Sequence, residues 1–275
     1  MRGSNFGVQI KRLAQTVAPE LFYWYRSYRL RQHFSARFRF DQRQFKQAFY
    51  PGNQVPKILT GPFRGMLYLD ETVWGPIIPK WAGSYEMELQ DIIAQIGRHG
   101  YDRIVNIGCA EGYYAVGLAL LDRRCKVLAF DSDPFARSQT RRLAGLNLVS
   151  ERIHIFKQCT PFRLSELLEG GTLVISDIEG QECVLLDPAK APGLRSADLL
   201  IEVHEEATGL VKAEQRLAER FSASHTIERR VSHDREEWMG ENQSLWQDRV
   251  SRKRMVKFLD EARSGPQVWL WAKAR

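Results

Sequence analysis

Two acids and a histidine in the second half of the chain are spaced for chemistry on a bound ligand. Asp177 closes the apolar run Leu173-Val-Ile-Ser176 and opens Asp177-Ile-Glu179-Gly180-Gln-Glu182. A later run closes in Glu202-Val-His204-Glu205-Glu206. Glu202 and His204 stand two apart, so on a strand they share one face. Asp177 and His204 are the catalytic candidates: a carboxylate can orient or deprotonate an acceptor hydroxyl, and an imidazole titrates in the range a general base needs. The competing reading for His204 is a structural histidine bonded at a strand end. Asp177, Glu179, Glu202 and His204 are also a donor set for a divalent cation, but their spacing fixes no coordination geometry, and no metal is assigned. Acids at strand ends also cap helices, a reading that weighs evenly for Glu205 and Glu206 and less for Asp177.

A second constellation lies earlier, in Ile104-Val-Asn106-Ile-Gly108-Cys-Ala110-Glu111-Gly112-Tyr-Tyr. It reads as a buried strand, a small-residue turn, and a helix starting at Gly112 or just after. Gly108 allows a sharp turn, and Gly112 lets the first helical turn approach a ligand. The next strand, Val127-Leu-Ala-Phe130, ends in Asp131, 23 residues after Gly108, with Ser132 following. An acid at that point can accept both hydroxyl hydrogens of a ribose. A nicotinamide enzyme would use the same acid. However, the dinucleotide fingerprint needs a third glycine, for packing beside a pyrophosphate, where this chain has Tyr113. An adenosyl ligand without a pyrophosphate, S-adenosylmethionine (SAM), fits better. Its contact set is Asn106, Gly108, Ala110, Glu111, Gly112, Asp131 and Ser132.

These residues need a scaffold of strands ending at one edge. From about residue 100, short β-branched runs (Arg103–Ile107, Lys126–Phe130, Arg152–Phe156, Thr172–Ser176, Leu199–Val203) alternate with helical stretches (Tyr113–Leu121, Pro134–Leu146, Gly209–Phe221). Such alternation predicts an α/β fold with a parallel sheet and helices on both faces. His225–Val231 and Gln267–Ala272 add two strands, consistent with an antiparallel closing pair. Residues 232–265 between them are too long for a hairpin. Trp238, Met239 and Trp246 in this insertion suit stacking on a sugar ring, and a packed helical insertion is an equal alternative. The chain divides into a basic aromatic arm (1–50), a connecting or lid segment (51–98) and the α/β domain (99–275). In the arm, Asp41 is expected to cap a helix presenting Phe45 and Phe49 on one face, stopped by Pro51-Gly52-Asn53. Tyr85–Ile96 reads as a helix.

The bulk properties narrow the classes. The chain has 275 residues, 44% of them hydrophobic, with no apolar stretch of membrane-spanning length. Met1 to Ile10 lacks the apolar run of a secretory signal. Cys109, Cys125, Cys159 and Cys183 are widely spaced, which argues against a zinc site or a disulfide framework and fits a reducing cytosol. The net charge is +7, yet residues 1–50 hold ten Lys or Arg against Glu20 and Asp41. The arm therefore carries the basicity, which suits contact with an anionic membrane surface or a second subunit. The alternative is that its aromatics pack on the domain.

Asn106-Ile-Gly-Cys-Ala-Glu-Gly-Tyr-Tyr, Ala129-Phe-Asp131, Asn147, Asp177-Ile-Glu-Gly-Gln-Glu182 and Glu202-Val-His204 together resemble the FkbM-type family of class I SAM-dependent methyltransferases. The resemblance covers roughly residues 100–231 and the final strand, and its most specific part is D-x-E-G-x-E. It implies a Rossmann-like three-layer sandwich, with a mostly parallel seven-stranded sheet whose last strand is antiparallel. It also implies O-methylation of hydroxyls on sugars, glycolipids or polyketides. Asn106 stands where class I enzymes often carry an acid, and Asp131 replaces the family's usual glutamate. Gly61-Pro-Phe-Arg-Gly-Met-Leu-Tyr68 and Gly83-Ser-Tyr-Glu86 resemble methyltransferase-like proteins of bacterial surface-glycan clusters. A nucleic-acid methyltransferase is disfavoured: the Asn/Asp-Pro-Pro-aromatic tetrapeptide of amino-directed enzymes is absent, and the acids near Asp177 and Glu202 would repel a polyanion. A non-catalytic scaffold is the remaining alternative.

Overall fold

The computed structural model describes residues 19–204 and 210–275, so Glu205 and Glu206 lie outside the described residues, as do the first 18 residues of the basic arm. The described residues open with one long helix, α1 (Pro19–Phe49). Short helix α2 (Ile78–Ala82) and α3 (Gln90–His99) follow. The α/β alternation then runs β1 (Arg103–Ile107), α4 (Tyr113–Leu121), β2 (Lys126–Phe130), α5 (Pro134–Leu146), β3 (Ile153–Phe156), α6 (Pro161–Leu167), β4 (Thr172–Ser176), α7 (Glu182–Leu185), β5 (Asp198–Val203), α8 (Leu210–Phe221) and β6 (His225–Val231). Three helices, α9 (Glu236–Glu241), α10 (Gln243–Trp246) and α11 (Arg252–Phe258), precede β7 (Val268–Ala274).

The seven strands form one sheet in the order β3-β2-β1-β4-β5-β7-β6. β1 to β5 pair in parallel, and β7 runs antiparallel to both neighbours. This order and the reversed last strand are those of the class I methyltransferase fold. The strands β1, β2, β4 and β5 are largely buried on both faces, as a sheet covered by helices on two sides requires, while the edge strand β3 exposes His154. Along β1, Ile104 joins one core while Val105 and Ile107 join the other, following the two-residue alternation. Local signals start several helices. Asp133 accepts the Phe135 N–H at 2.9 Å ahead of Pro134, and Thr160 accepts the Arg163 N–H at 3.1 Å ahead of Pro161.

Parallel pairing sends the carboxyl ends of β1, β2, β4 and β5 to one edge. β7 starts at that edge, because Val268 pairs with both Val203 and Val231. Residues 232–267 therefore leave and re-enter the sheet on the side of Gly108 and Asp177.

Three local expectations are corrected. Asp41 is no cap: it sits inside the 31-residue α1, buried, with Lys257 at 2.8 Å and Arg254 at 3.4 Å. Tertiary ion pairing has taken the role assigned to local capping. Phe45 and Phe49 do share a face, stacked at 4.3 Å, and Phe45 meets the edge of Phe258 at 5.3 Å. Burying each contributes about 1.5–3 kcal/mol and fastens α1 to α11. The helix expected at Tyr85–Ile96 is a 3-10 turn at Met87–Leu89 followed by α3, because Glu86 takes left-handed backbone (φ 46°). Trp238, Met239 and Trp246 are all buried; Trp238 donates to Thr60 Oγ1 at 2.9 Å and Trp246 to the Met239 carbonyl at 3.0 Å. They join the core shared with the connecting segment and one face of the sheet, the packed insertion that was the equal alternative, and neither tryptophan offers a face for a sugar.

Candidate active site

The loop between β1 and α4 is shaped by backbone contacts. Gly108 has φ +80°, and a Cβ there would lie 1.7 Å from the Asp177 carbonyl oxygen. Asp177 in turn donates its N–H to the Ile107 carbonyl at 3.0 Å. The turn after β1 and the turn after β4 thus touch at a point where only glycine fits. Gly112 (φ +95°) precedes α4 and would drive a Cβ to 2.9 Å from Thr140 Cγ2. Between them Ala110 takes φ +47°, left-handed for a residue with a Cβ, a conformation that holds only where the surroundings enforce it.

Asp131 ends β2 beside this loop. Its Oδ2 accepts the Ala110 N–H at 2.9 Å, and its Oδ1 accepts the Asp133 N–H at 2.8 Å. Each oxygen keeps a further lone pair, the requirement for a ribose ligand. Burial pushes the Asp131 carboxyl up to about 7, against the two backbone donors that pull it down. Ser132 follows, its carbonyl held by Arg137 at 2.9 Å. Asn106 is buried on β1, and its Oδ1 has no hydrogen-bond partner among the described residues. A bound donor would satisfy it.

Glu111, expected among the cofactor contacts, is engaged elsewhere. Its carboxylate is fully buried, ion-paired with Lys80, and accepts from Tyr68 Oη (2.9 Å), Thr72 Oγ1 (3.1 Å) and the Val73 N–H (3.2 Å). Burial alone would raise its pKa, but Lys80 and these hydrogen bonds hold it below the usual carboxylate range. Glu111 therefore pins residues 68–80 to the loop. Asn147 adds a second tie: it accepts the Leu67 N–H at 2.9 Å and donates to the Leu67 carbonyl at 2.8 Å.

Across the sheet, the structure brings Asp177, Glu202 and His204 together. One ligand-type atom from each lies within 4.8 Å of the others. Glu179, the fourth residue of the sequence-derived donor set, is not in that group; it occupies left-handed backbone at φ 58°. His204 Nδ1 sits 2.9 Å from Glu182 Oε1, which also accepts the Ile178 N–H (3.1 Å) and the Gly180 N–H (3.4 Å). His204 Nε2 faces Asp177 Oδ1 at 3.6 Å and Glu202 Oε2 at 3.9 Å. Burial opposes the imidazolium, but the Glu182 hydrogen bond and the charges of Asp177, Glu182 and Glu179 outweigh it and push His204 up to about 9. Burial pushes Asp177 up to about 6, with His204 drawing it back down and Glu86, Glu179 and Glu182 adding to the rise. Its side chain stays 35% open to solvent, which is how an acceptor can reach it. Glu202 is raised well above its ordinary value, first by burial and then by Asp177 and Glu86.

Sequence reasoning missed three residues of this wall. Arg263 bonds Glu202 Oε1 at 3.1 Å and Glu86 Oε1 at 2.6 Å, and its Nε donates to Glu261 Oε2 at 2.8 Å. Glu86 also accepts from Tyr114 of α4. The tetrapeptide Gly83-Ser-Tyr-Glu86 carried a signal for Glu86, and D-x-E-G-x-E carried one for Glu182; Arg263 had none. A cleft of about 350 Å³ opens beside this wall, lined by Ser232, Arg235, Met239, Leu259, Glu261 and Arg263.

No known family model matches the chain, and no curated protein matches it. Solved structures do. The cofactor-bound protein Rv0187 from MTB shares 14% identity over 69% of this chain and 81% of its own, with a TM-score of 0.46. A Klebsiella pneumoniae protein assigned as an O-methyltransferase shares 14% over 89% and 99% (TM-score 0.46). An O-methyltransferase from Bacillus cereus in complex with SAH shares 13% over 68% and 81% (TM-score 0.44).

Proposed function

We propose that the protein is a SAM-dependent O-methyltransferase of the FkbM type, acting on a hydroxyl of a sugar, glycolipid or related small molecule. One observation carries the reading: the Gly108 turn, beside the ribose-type acid Asp131, and the turn that bears Asp177 touch with no room for a Cβ. A cofactor held at the first turn would therefore have the second turn, with Asp177, beside it.

SAM supplies, when bound, a methyl group on a positively charged sulfur. Asp131 would hold the ribose hydroxyls, and the orphaned Asn106 Oδ1 suits the cofactor's ammonium group. The acceptor enters over the open side of Asp177, from the cleft at Arg263. Asp177, raised yet largely ionised at pH 7, takes the hydroxyl proton. The deprotonated acceptor oxygen would then be placed to receive the methyl group of bound SAM, whose sulfur would keep the electron pair of the broken bond. His204, fixed by Glu182, favours the ionised form of Asp177. Positioning supplies much of the rate for an in-line displacement of this kind. The test is calorimetric titration of SAM into the wild type and Asp131→Ala, followed by methyl transfer to a panel of glycans and glycolipids. Unchanged SAM affinity in the variant, or no SAM binding by the wild type, rejects the reading.

We also propose that α1 attaches the enzyme to an anionic membrane surface at the cytoplasmic face. No described helix is long and apolar enough to cross a membrane. Support comes from the exposed Tyr25, Tyr28 and Phe40 interleaved with exposed Arg29, Arg37 and Arg39. Flotation with anionic vesicles should recover the full chain and lose a chain lacking residues 1–37. Equal recovery of both removes the membrane role.

A further inference from the structure

We propose that Asp177, Glu202 and His204 form a divalent-cation site, ligated by His204 Nε2 and one carboxylate oxygen from each acid. The role of the cation rests on the methyl-transfer reading above; its binding does not.

The first observation is the spacing of the donors. Nε2 lies 3.6 Å from Asp177 Oδ1 and 3.9 Å from Glu202 Oε2, and all three ligand atoms fall within 4.8 Å of one another. Both distances are too long for hydrogen bonds. An octahedral cation with bonds of about 2.1–2.4 Å needs neighbouring donors roughly 3.0–3.4 Å apart, so binding would draw the imidazole and the two carboxylates inward by about 0.2–0.9 Å.

The second observation, independent of the spacing, is the orientation of the imidazole. Glu182 Oε1 already accepts the N–H groups of Ile178 and Gly180, so it meets His204 as an acceptor and Nδ1 must be the donor. A carboxylate behind Nδ1 is the outer-shell arrangement that turns Nε2 toward a metal and raises its basicity. Here Nε2 points at two acids, which lean on each other, and it lies beyond hydrogen-bond distance of both. The ring is 18% exposed and Glu202 only 3%, so water screens this convergence poorly.

The third is that Glu202 is divided between two tasks. Its Oε1 is held by Arg263 at 3.1 Å, which leaves Oε2 toward His204. Asp177, 35% open to solvent, is the ligand that an incoming acceptor can reach. Two carboxylate oxygens and one imidazole suit a cation of intermediate hardness, with Mn²⁺ the best probe and Mg²⁺ the harder relative. A hydroxyl filling an open coordination position would be polarised for deprotonation.

The test is titration of Mn²⁺ into the full-length protein without SAM, following the loss of the free-ion electron paramagnetic resonance signal. One ion per chain, with a Kd in the micromolar range, is expected. His204→Ala and Glu202→Gln should each weaken binding by at least about 10-fold, and Glu182→Gln by about 10- to 100-fold through misorientation of the ring. Circular dichroism and the melting temperature identify any variant that fails to fold. Asp177→Asn, on the open side, is the replacement test, with the same loss expected. No binding by the wild type below about 1 mM, or equal binding by folded His204→Ala and Asp177→Asn, overturns the proposal and leaves a shared proton between the acids as the occupant. SAM titration on the same samples keeps the two readings apart. SAM binding without Mn²⁺ binding sinks only the cation, whereas Mn²⁺ binding without SAM binding sinks only methyl transfer.

Discussion

On the β1–β2 side of the site, Gly108, Ala110 and Asp131 are set by main chain: a turn that excludes a Cβ, a left-handed alanine, and a carboxylate held by two backbone N–H groups. On the β4–β5 side, Asp177, Glu202 and His204 are set by side chains, with Glu182 behind the imidazole and Arg263 and Glu86 behind Glu202. Main-chain geometry suits a ligand that never changes. A side-chain lattice can be rewritten one residue at a time, which suits a ligand that varies. The contrast predicts that damage to one half should leave the other's readout nearly untouched.

The largest expected effect tests that separation directly. Asp177→Asn removes the base while keeping shape, so kcat should fall about 10²- to 10⁴-fold with SAM affinity within about threefold of wild type. Asp131→Ala should do the reverse, weakening SAM binding by about 10- to 100-fold through two lost charged hydrogen bonds. Loss of SAM affinity in Asp177→Asn would merge the two halves and end the comparison.

Next comes the buried pair beneath the cofactor loop. Lys80→Met leaves Glu111, fully buried, without its counter-charge. Urea unfolding should show a loss of about 3–5 kcal/mol, and Lys80→Met/Glu111→Gln should recover much of it, because removing both charges removes the uncompensated one. A single-variant loss below about 1 kcal/mol would mean the pair does not fasten residues 68–80 to the loop.

A smaller effect follows from Asp131 itself. Its folded pKa, about 7, lies above the ordinary 3.8, so the folded state holds a proton that the unfolded chain releases. Wild-type stability relative to Asp131→Asn should therefore decline as pH rises from about 4 to 7 and level off above that. Asp131 is only partly buried, so a gain of about 1–3 kcal/mol for Asn at pH 8 is expected. Melting temperatures from pH 4 to 9 measure it, and a flat difference would remove the stored cost.

How much of this was legible in the sequence follows the same division. The positions of Gly108, Gly112 and Asp131 were legible because they follow from residue type and place along one strand–turn–helix unit. The strands β1, β2, β4 and β6 fall on the expected residues, since a two-sided apolar run marks itself. Arg263 could not be found: its partners Glu202 and Glu86 lie 61 and 177 residues away, and nothing local distinguishes it from other arginines in the insertion. Glu111 and Asp41 misled for a related reason. Each sits where a local rule offers a role, as a loop contact or a helix cap, and a distant cation claimed it instead. Trp238 and Trp246 looked like ligand faces because burial within a short insertion leaves no periodic trace.

The weakest effect sharpens the comparison most, because it begins far from the chemistry. Asp41 on α1 is buried, but its partners on α11 are open, Lys257 at 60% and Arg254 at 33% exposure. Solvent screens such a pair, so Asp41→Asn should cost only about 0.5–1 kcal/mol, less at high salt. Stacking between Phe45 and Phe49 and the edge contact to Phe258 keep the helix docked. What changes is the seating of α11, whose chain leads through Leu259 and Glu261, at the cleft, to Arg263. The acceptor KM should therefore rise about two- to fivefold in low salt, an effect of under 1 kcal/mol, and converge with wild type in about 0.5 M NaCl. SAM affinity should not move at either salt concentration. An equal shift in SAM affinity would mean that α1 steadies the whole domain, and that the division between a main-chain half and a side-chain half does not extend beyond the site.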